Sequence, residues 1–183
     1  MRTLVSFAVI ALASLTLSCS TTRTLPAEHL SKEPGRAVKV ETDDFTAYTV
    51  SIDIAAPPQK VWALLVDVNA WSTWNTTIVR ASGTVAPGEK VTLVSKLDPE
   101  REFALTVAEL ETEKKLVWED GMPMGLFSGV RTYTLDATDA GTRFTMSEVF
   151  SGGMAGMITD SIPDMRPSFE TFAKDLQKAA QGS

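Results

Sequence analysis

The chain has 183 residues, 44% of them hydrophobic, with 17 lysines and arginines against 23 acidic residues and a net charge of −6. That acidity, with no cluster of basic residues, argues against a nucleic-acid surface. The single cysteine, Cys19, permits no internal disulfide, and the single histidine, His29, lies near the N-terminus. A Ser-His-Asp triad, a Cys-His pair and a His-rich zinc site are therefore not expected in the body of the chain.

One basic residue, Arg2, precedes an uncharged apolar run from Leu4 to Leu17. This pattern predicts a secretory signal over residues 1–18, and the run is shorter than the ~20 residues of a spanning helix. Leu15-Thr16-Leu17-Ser18-Cys19 resembles the lipobox of bacterial lipoproteins, which implies cleavage before Cys19 and lipidation of its thiol. Ser20 in the next position favours the outer membrane, facing the periplasm, in a Gram-negative cell. The alternatives are ordinary cleavage between Ala13 and Ser18, leaving a free thiol, and an uncleaved anchor. Residues 19–42, polar and broken by Pro26, Pro34 and Gly35, read as a lipidated cysteine and flexible tether, with His29 solvated inside it.

From residue 43 to 181 the pattern is that of one α+β domain. Tyr48, Val50, Ile52 and Ile54 alternate with Thr49, Ser51 and Asp53, a strand with one buried face. Pro57-Pro58 then opens a helix carrying Val61, Trp62, Leu64, Leu65 and Val68 at helical spacing. Strands follow near Ile78–Ser82, Lys90–Leu97, Glu102–Leu110, Lys115–Glu119, Val130–Asp136 and Thr142–Phe150. Pro87-Gly88, Asp98-Pro99 and Asp139-Ala140-Gly141 supply turns between them. A helix begins near Met154, is broken by Pro163 and Pro167, and continues from about Ser168 to Ala180, with Phe169, Phe172, Ala173, Leu176 and Ala180 on one stripe.

Gly152-Gly153 and Gly156 lack the lysine of a phosphate loop, so no nucleotide, cofactor or metal is expected. The order of elements and the residues Ile52-Asp53-Ile54-Ala55-Ala56-Pro57, Val61-Trp62, Asp67, Trp71, Trp74-Asn75, Arg131-Thr132-Tyr133, Gly141-Thr142 and Glu148-Val149-Phe150 resemble the SRPBCC (START-like, Bet v 1-like) superfamily, in its polyketide cyclase/dehydrase-like branch. The resemblance covers about Phe45 to Ala180. It implies a helix-grip fold, a curved seven-stranded antiparallel sheet wrapped around the long C-terminal helix, with an apolar cavity between them. It also implies a hydrophobic small molecule or lipid as ligand, and for some members a cyclase or hydratase reaction without metal.

Alternation places Phe144, Met146, Glu148 and Phe150 on one face of the last strand, and Arg131, Tyr133 and Leu135 on one face of its neighbour. A hairpin turning at Asp139 brings Arg131 opposite Glu148, and two charges on an apolar face must pair to be buried there. The expected ligand-binding set is Trp74, Trp118, Arg131, Tyr133, Met146, Glu148, Met154 and Met157, with Met122 and Met124 near the mouth. Two function classes remain open. The leading one is a membrane-tethered binding module. The other is an enzyme in which Glu148 or Asp53 serves as base and Arg131 stabilises an oxyanion.

Overall fold

A computed structural model describes residues 25–182, so the signal segment and Cys19 lie outside the described residues. Eight strands form one antiparallel sheet: β1 (Val38–Glu41), β2 (Phe45–Ile54), β3 (Ile78–Gly83), β4 (Lys90–Ser95), β5 (Asp98–Glu111), β6 (Lys115–Met122), β7 (Phe127–Thr138) and β8 (Gly141–Ser151). Their spatial order is β1-β2-β8-β7-β6-β5-β4-β3. Strands β3 to β8 are joined in sequence as a meander, while β2 docks beside β8 and closes the order from the other side.

Helices α1 (Pro58–Val66) and α2 (Trp71–Trp74) connect β2 to β3, and α3 (Ala155–Ser161) and α4 (Arg166–Gln181) end the chain. Pro58 opens α1, where its missing N–H removes no helical hydrogen bond. Trp71 caps the turn after α1, its indole Nε1 donating to the carbonyls of Leu64 and Leu65 at 3.0 and 3.2 Å. Pro163 falls in the break between α3 and α4, whereas Pro167 sits in the first turn of α4 and breaks nothing. The stripe of Phe169, Phe172, Ala173, Leu176 and Ala180 is buried against the sheet, and α4 ends on Gly182 in the left-handed conformation. This is the helix grip that the resemblance implies.

Three details depart from expectation. The sheet has eight strands rather than seven, because Val38–Glu41, placed in the tether by its polarity, pairs with β2 from Val38↔Thr49 to Glu41↔Thr46. Upstream of it, Leu25 is buried against Ala47 and Val149 on the outer face of the sheet, and the N–H of Gly35 donates to the carbonyl of Ser51 at 2.6 Å. Residues 25–41 thus lie along the domain, and His29 packs edge-on against Phe45 with ring centroids 5.9 Å apart instead of standing in solvent. Finally, Asp98-Pro99 is no turn. The chain turns at Lys96-Leu97, and Pro99 stands near the start of β5, where a missing donor is tolerated.

Candidate functional site on the concave face

Strand register puts the candidate residues in rows across the concave face. The first row runs Trp118, Arg131, Glu148, Tyr48, each paired with the next on β6, β7, β8 and β2. Lys39 of β1 pairs with Tyr48 at the end of this row, its Nζ 5.8 Å from the ring centroid. The second row runs Leu116, Tyr133, Met146, Val50, and the third carries Leu135, Phe144 and Ile52. A polar row therefore borders two apolar rows.

Arg131 Nε donates to Glu148 Oε2 at 2.9 Å, and Nη2 donates to the same oxygen. The two side chains retain only 16% and 14% of their exposure, and the guanidinium lies 5.4 Å from the ring centroid of Phe169 on α4. Sheet and helix together cover most of the pair, so it is a largely buried ion pair on the inner face; the hairpin register predicted the facing positions and left the face open. Burial disfavours the Arg131 charge, but the neighbouring Glu148 outweighs it, and the guanidinium pKa lies above its ordinary value. Burial also pushes the Tyr133 phenol up to about 12, against the opposing pull of Arg131. The Tyr133 hydroxyl has the Arg131 guanidinium as its polar neighbour but no acceptor for its own proton, and the indole N–H groups of Trp118 and Trp74 likewise find none. Three buried donors without partners inside one apolar layer are uncommon, since such groups are nearly always satisfied in folded proteins.

The rings themselves fill the space between sheet and α4. Trp71 stacks on Trp118 at 5.1 Å and meets Phe172 and Tyr133 edge-on at 5.2 and 6.2 Å. Phe172 in turn lies 6.3 Å from Phe144 and 5.8 Å from Trp74. The larger concavity described is a groove of about 320 Å³ on the helical side, lined by Lys60, Ala63, Leu64, Asp67, Ala70, Trp74 and Ala179. Trp74 is the only residue common to this groove and the expected ligand-binding set. Its ring also lies 5.8 Å from Phe172 and 6.0 Å from Trp71, which stacks on Trp118.

The structure thus brings together Trp118, Arg131, Tyr133, Met146 and Glu148, with Trp74 one ring away. It does not bring in the others. Asp53, a candidate base, lies on the convex face, about half exposed, with Arg143 Nε at 2.8 Å. That arginine holds its carboxyl below the usual carboxylate range, so Asp53 has no place as an interior base. Met157 is 64% exposed on α3, and Met154 is half-buried at the entry to that helix, so neither lines the concave interior beside the pair. Tyr48, Trp71 and Phe172 belong to the site and were missed as site residues. Tyr48 was legible, because it shares the face of Val50 and Ile52.

A family profile described as polyketide cyclase/dehydrase and lipid transport matches residues 46–181. The chain belongs to this family. Solved structures with the same fold include proteins from Mesorhizobium loti (19% identity, TM-score 0.59, 75% of this chain and 98% of that one) and Nitrosomonas europaea (19%, 0.59, 78% and 97%). Another comes from Rhodobacter sphaeroides (14%, 0.60, 80% and 98%). At these identities the likeness concerns fold alone. No curated protein matches the chain.

Proposed function

We propose that the protein is a lipid-anchored component of the bacterial envelope that binds an apolar small molecule or lipid between the curved sheet and α4. The observation that carries this reading is the set of partnerless donors, Trp118 Nε1, Tyr133 Oη and Trp74 Nε1, beside a buried ion pair in an otherwise apolar layer. A ligand with one polar oxygen would satisfy Trp118 and Tyr133, while its apolar body replaces ring contacts. Binding then displaces Trp74 and Phe172, the rings between the helical groove and Trp118, and places the polar end of the ligand near the Arg131–Glu148 row. The lipobox-like sequence ending at Cys19 supports the envelope location, outer membrane in a Gram-negative cell, and sets the pocket near a source of lipid.

Native mass spectrometry of the full chain purified from its own membrane, followed by organic extraction, tests the reading. A stoichiometric apolar adduct is expected, weakened in a Trp118→Phe, Tyr133→Phe variant that keeps the rings but removes both donors. A chain that copurifies with nothing apolar, and whose tryptophan emission is unmoved by a library of lipids and polyketide-like compounds, would overturn it.

A further inference from the structure

Five large apolar side chains are strongly exposed among the described residues, and four of them, Met122, Met124, Leu126 and Met157, occur near one end of the sheet at 47%, 96%, 43% and 64% exposure. They are carried by two segments joined backbone to backbone. The N–H of Gly153 donates to the carbonyl of Gly125 at 3.2 Å, and that of Met154 to the carbonyl of Leu126 at 2.8 Å. Met124 itself adopts a left-handed φ of 63°, unusual for a residue with a side chain. Apart from Asp120 and Asp160, which border them, the segments carry no charge: residues 121–129 read Gly-Met-Pro-Met-Gly-Leu-Phe-Ser-Gly and residues 151–159 read Ser-Gly-Gly-Met-Ala-Gly-Met-Ile-Thr, in a chain that is 22% charged. An uncharged, methionine-rich tip of this kind marks a contact surface rather than a solvated loop.

The course of the N-terminal segment says what covers it. Leu25 is buried against Val149, two residues before the end of β8 at Ser151, where the tip begins. At a rise of ~3.3 Å per residue, Leu25 therefore sits roughly 7 Å along the sheet from the tip. Six residue steps lead from Leu25 back to Cys19 and span at most about 20 Å. Measured from Val149, the opposite end of β8 at Gly141 lies eight residues or roughly 26 Å away. A lipid on Cys19 therefore holds the tip, and not the far end of the strands, within reach of the bilayer.

We infer that in the anchored protein this tip rests on the lipid bilayer, with Met122, Met124, Leu126 and Met157 in its interfacial region. The inference rests on the lipidation proposed above and extends it from attachment to orientation. Because the two segments and the bordering Asp120 and Asp160 offer no cationic group, the contact needs no anionic lipid and is not weakened by salt. It also turns the Arg131–Glu148 end of the concave face toward the membrane, since Arg131 is four residues from Phe127 and Glu148 three from Ser151.

The test uses the full chain, processed in cells and reconstituted in phosphatidylcholine vesicles with brominated acyl chains. Met124→Cys, Met157→Cys and Ala140→Cys variants are labelled with a thiol-reactive fluorophore, Ala140 standing in the exposed turn at the far end of β8. Loss of emission at 124 and 157 with none at 140, undiminished by salt, is the expected result. Adding Met124→Glu and Met157→Glu to a chain labelled at Leu126→Cys should abolish the quenching while the protein still sediments with the vesicles. A lipidated chain that shows no quenching at 124 and 157, or equal quenching at 140, overturns the orientation and leaves the anchor standing. A dimer that shields 124 without lipid quenching overturns it in favour of self-association. A chain whose Cys19 takes up the fluorophore and stays off the vesicles overturns the anchor and the orientation with it.

Discussion

Replacing Glu148 by glutamine removes the carboxylate that pairs with Arg131 among the described residues and keeps a side chain of nearly the same shape. Both guanidinium donors to this partner end on Glu148 Oε2, and only 16% and 14% of the two side chains reach water. Breaking a fully buried pair costs about 3–5 kcal/mol, because the surviving charge keeps its desolvation penalty. The residual exposure and the amide oxygen of glutamine soften this to about 2–4 kcal/mol. With a urea slope of about 2 kcal/mol/M, the unfolding midpoint should fall by roughly 1–2 M at constant slope. Asp53→Asn provides the internal standard: its pair with Arg143 is about half exposed on both sides and should cost less than about 1 kcal/mol. Removing both charges together, in Arg131→Met with Glu148→Met, should recover most of the loss, since an apolar pair of similar volume needs no partner. Equal, small midpoint shifts for Glu148→Gln and Asp53→Asn would refute the picture of a buried pair, and a double variant as unstable as the single one would show that its cost is packing and not charge.

Tyr133→Phe should be neutral or slightly stabilising at pH 7, because the hydroxyl it removes is buried without an acceptor; a loss above about 1 kcal/mol in urea unfolding would mean that the hydroxyl donates after all. The same residue makes an alkaline prediction. Its phenol is raised from 10.0 to about 12 in the fold, so the folded state holds this proton more tightly than the unfolded one. Because burial penalises the phenolate, the fold loses nothing through this group below pH 10 and is destabilised as pH rises to 12, by about 2–3 kcal/mol in all, and Tyr133→Phe should flatten that part of the stability–pH curve. Gly152→Ala should lower the melting temperature by several degrees, because φ there is +112° and a Cβ would stand 2.7 and 2.8 Å from the carbonyl oxygens of Gly125 and Leu126; unchanged melting in calorimetry would show that the two tip segments are free to part.

What was legible followed from periods and turns. Once the chain reverses at Asp139-Ala140, the two-residue period of both strands forces Arg131 opposite Glu148 and Tyr133 opposite Met146. The same period, applied to β2, already turned Asp53 away from Tyr48, Val50 and Ile52, so naming it as an interior base conflicted with its own strand. The place of Trp118 beside Arg131 depends on the β6–β7 register, for which the intervening Pro123–Gly125 turn gives no simple count. β1 was hidden because Val38-Lys39-Val40-Glu41 is short and half charged, and its pairing is decided by the free edge of β2, a tertiary fact.

The filled interior follows from composition in a way that bears on binding. Three of the four tryptophans, both tyrosines and Phe144, Phe169 and Phe172 all lie on or beside the concave layer, packed ring to ring at 5–6 Å. Ring-on-ring contacts satisfy apolar area but leave N–H and O–H groups unserved, which accounts for three of the five unpartnered buried polar groups among the described residues, the other two being Thr49 Oγ1 and Asn75 Nδ2. An apolar ligand entering this layer exchanges ring contacts for ligand contacts at little cost in buried area, and gains the hydrogen bonds that the rings alone cannot make. On the function proposed above, the net drive for binding would come from Trp118 and Tyr133 more than from the ligand's apolar body, so a ligand stripped of its polar oxygen should bind far more weakly than its size alone would suggest.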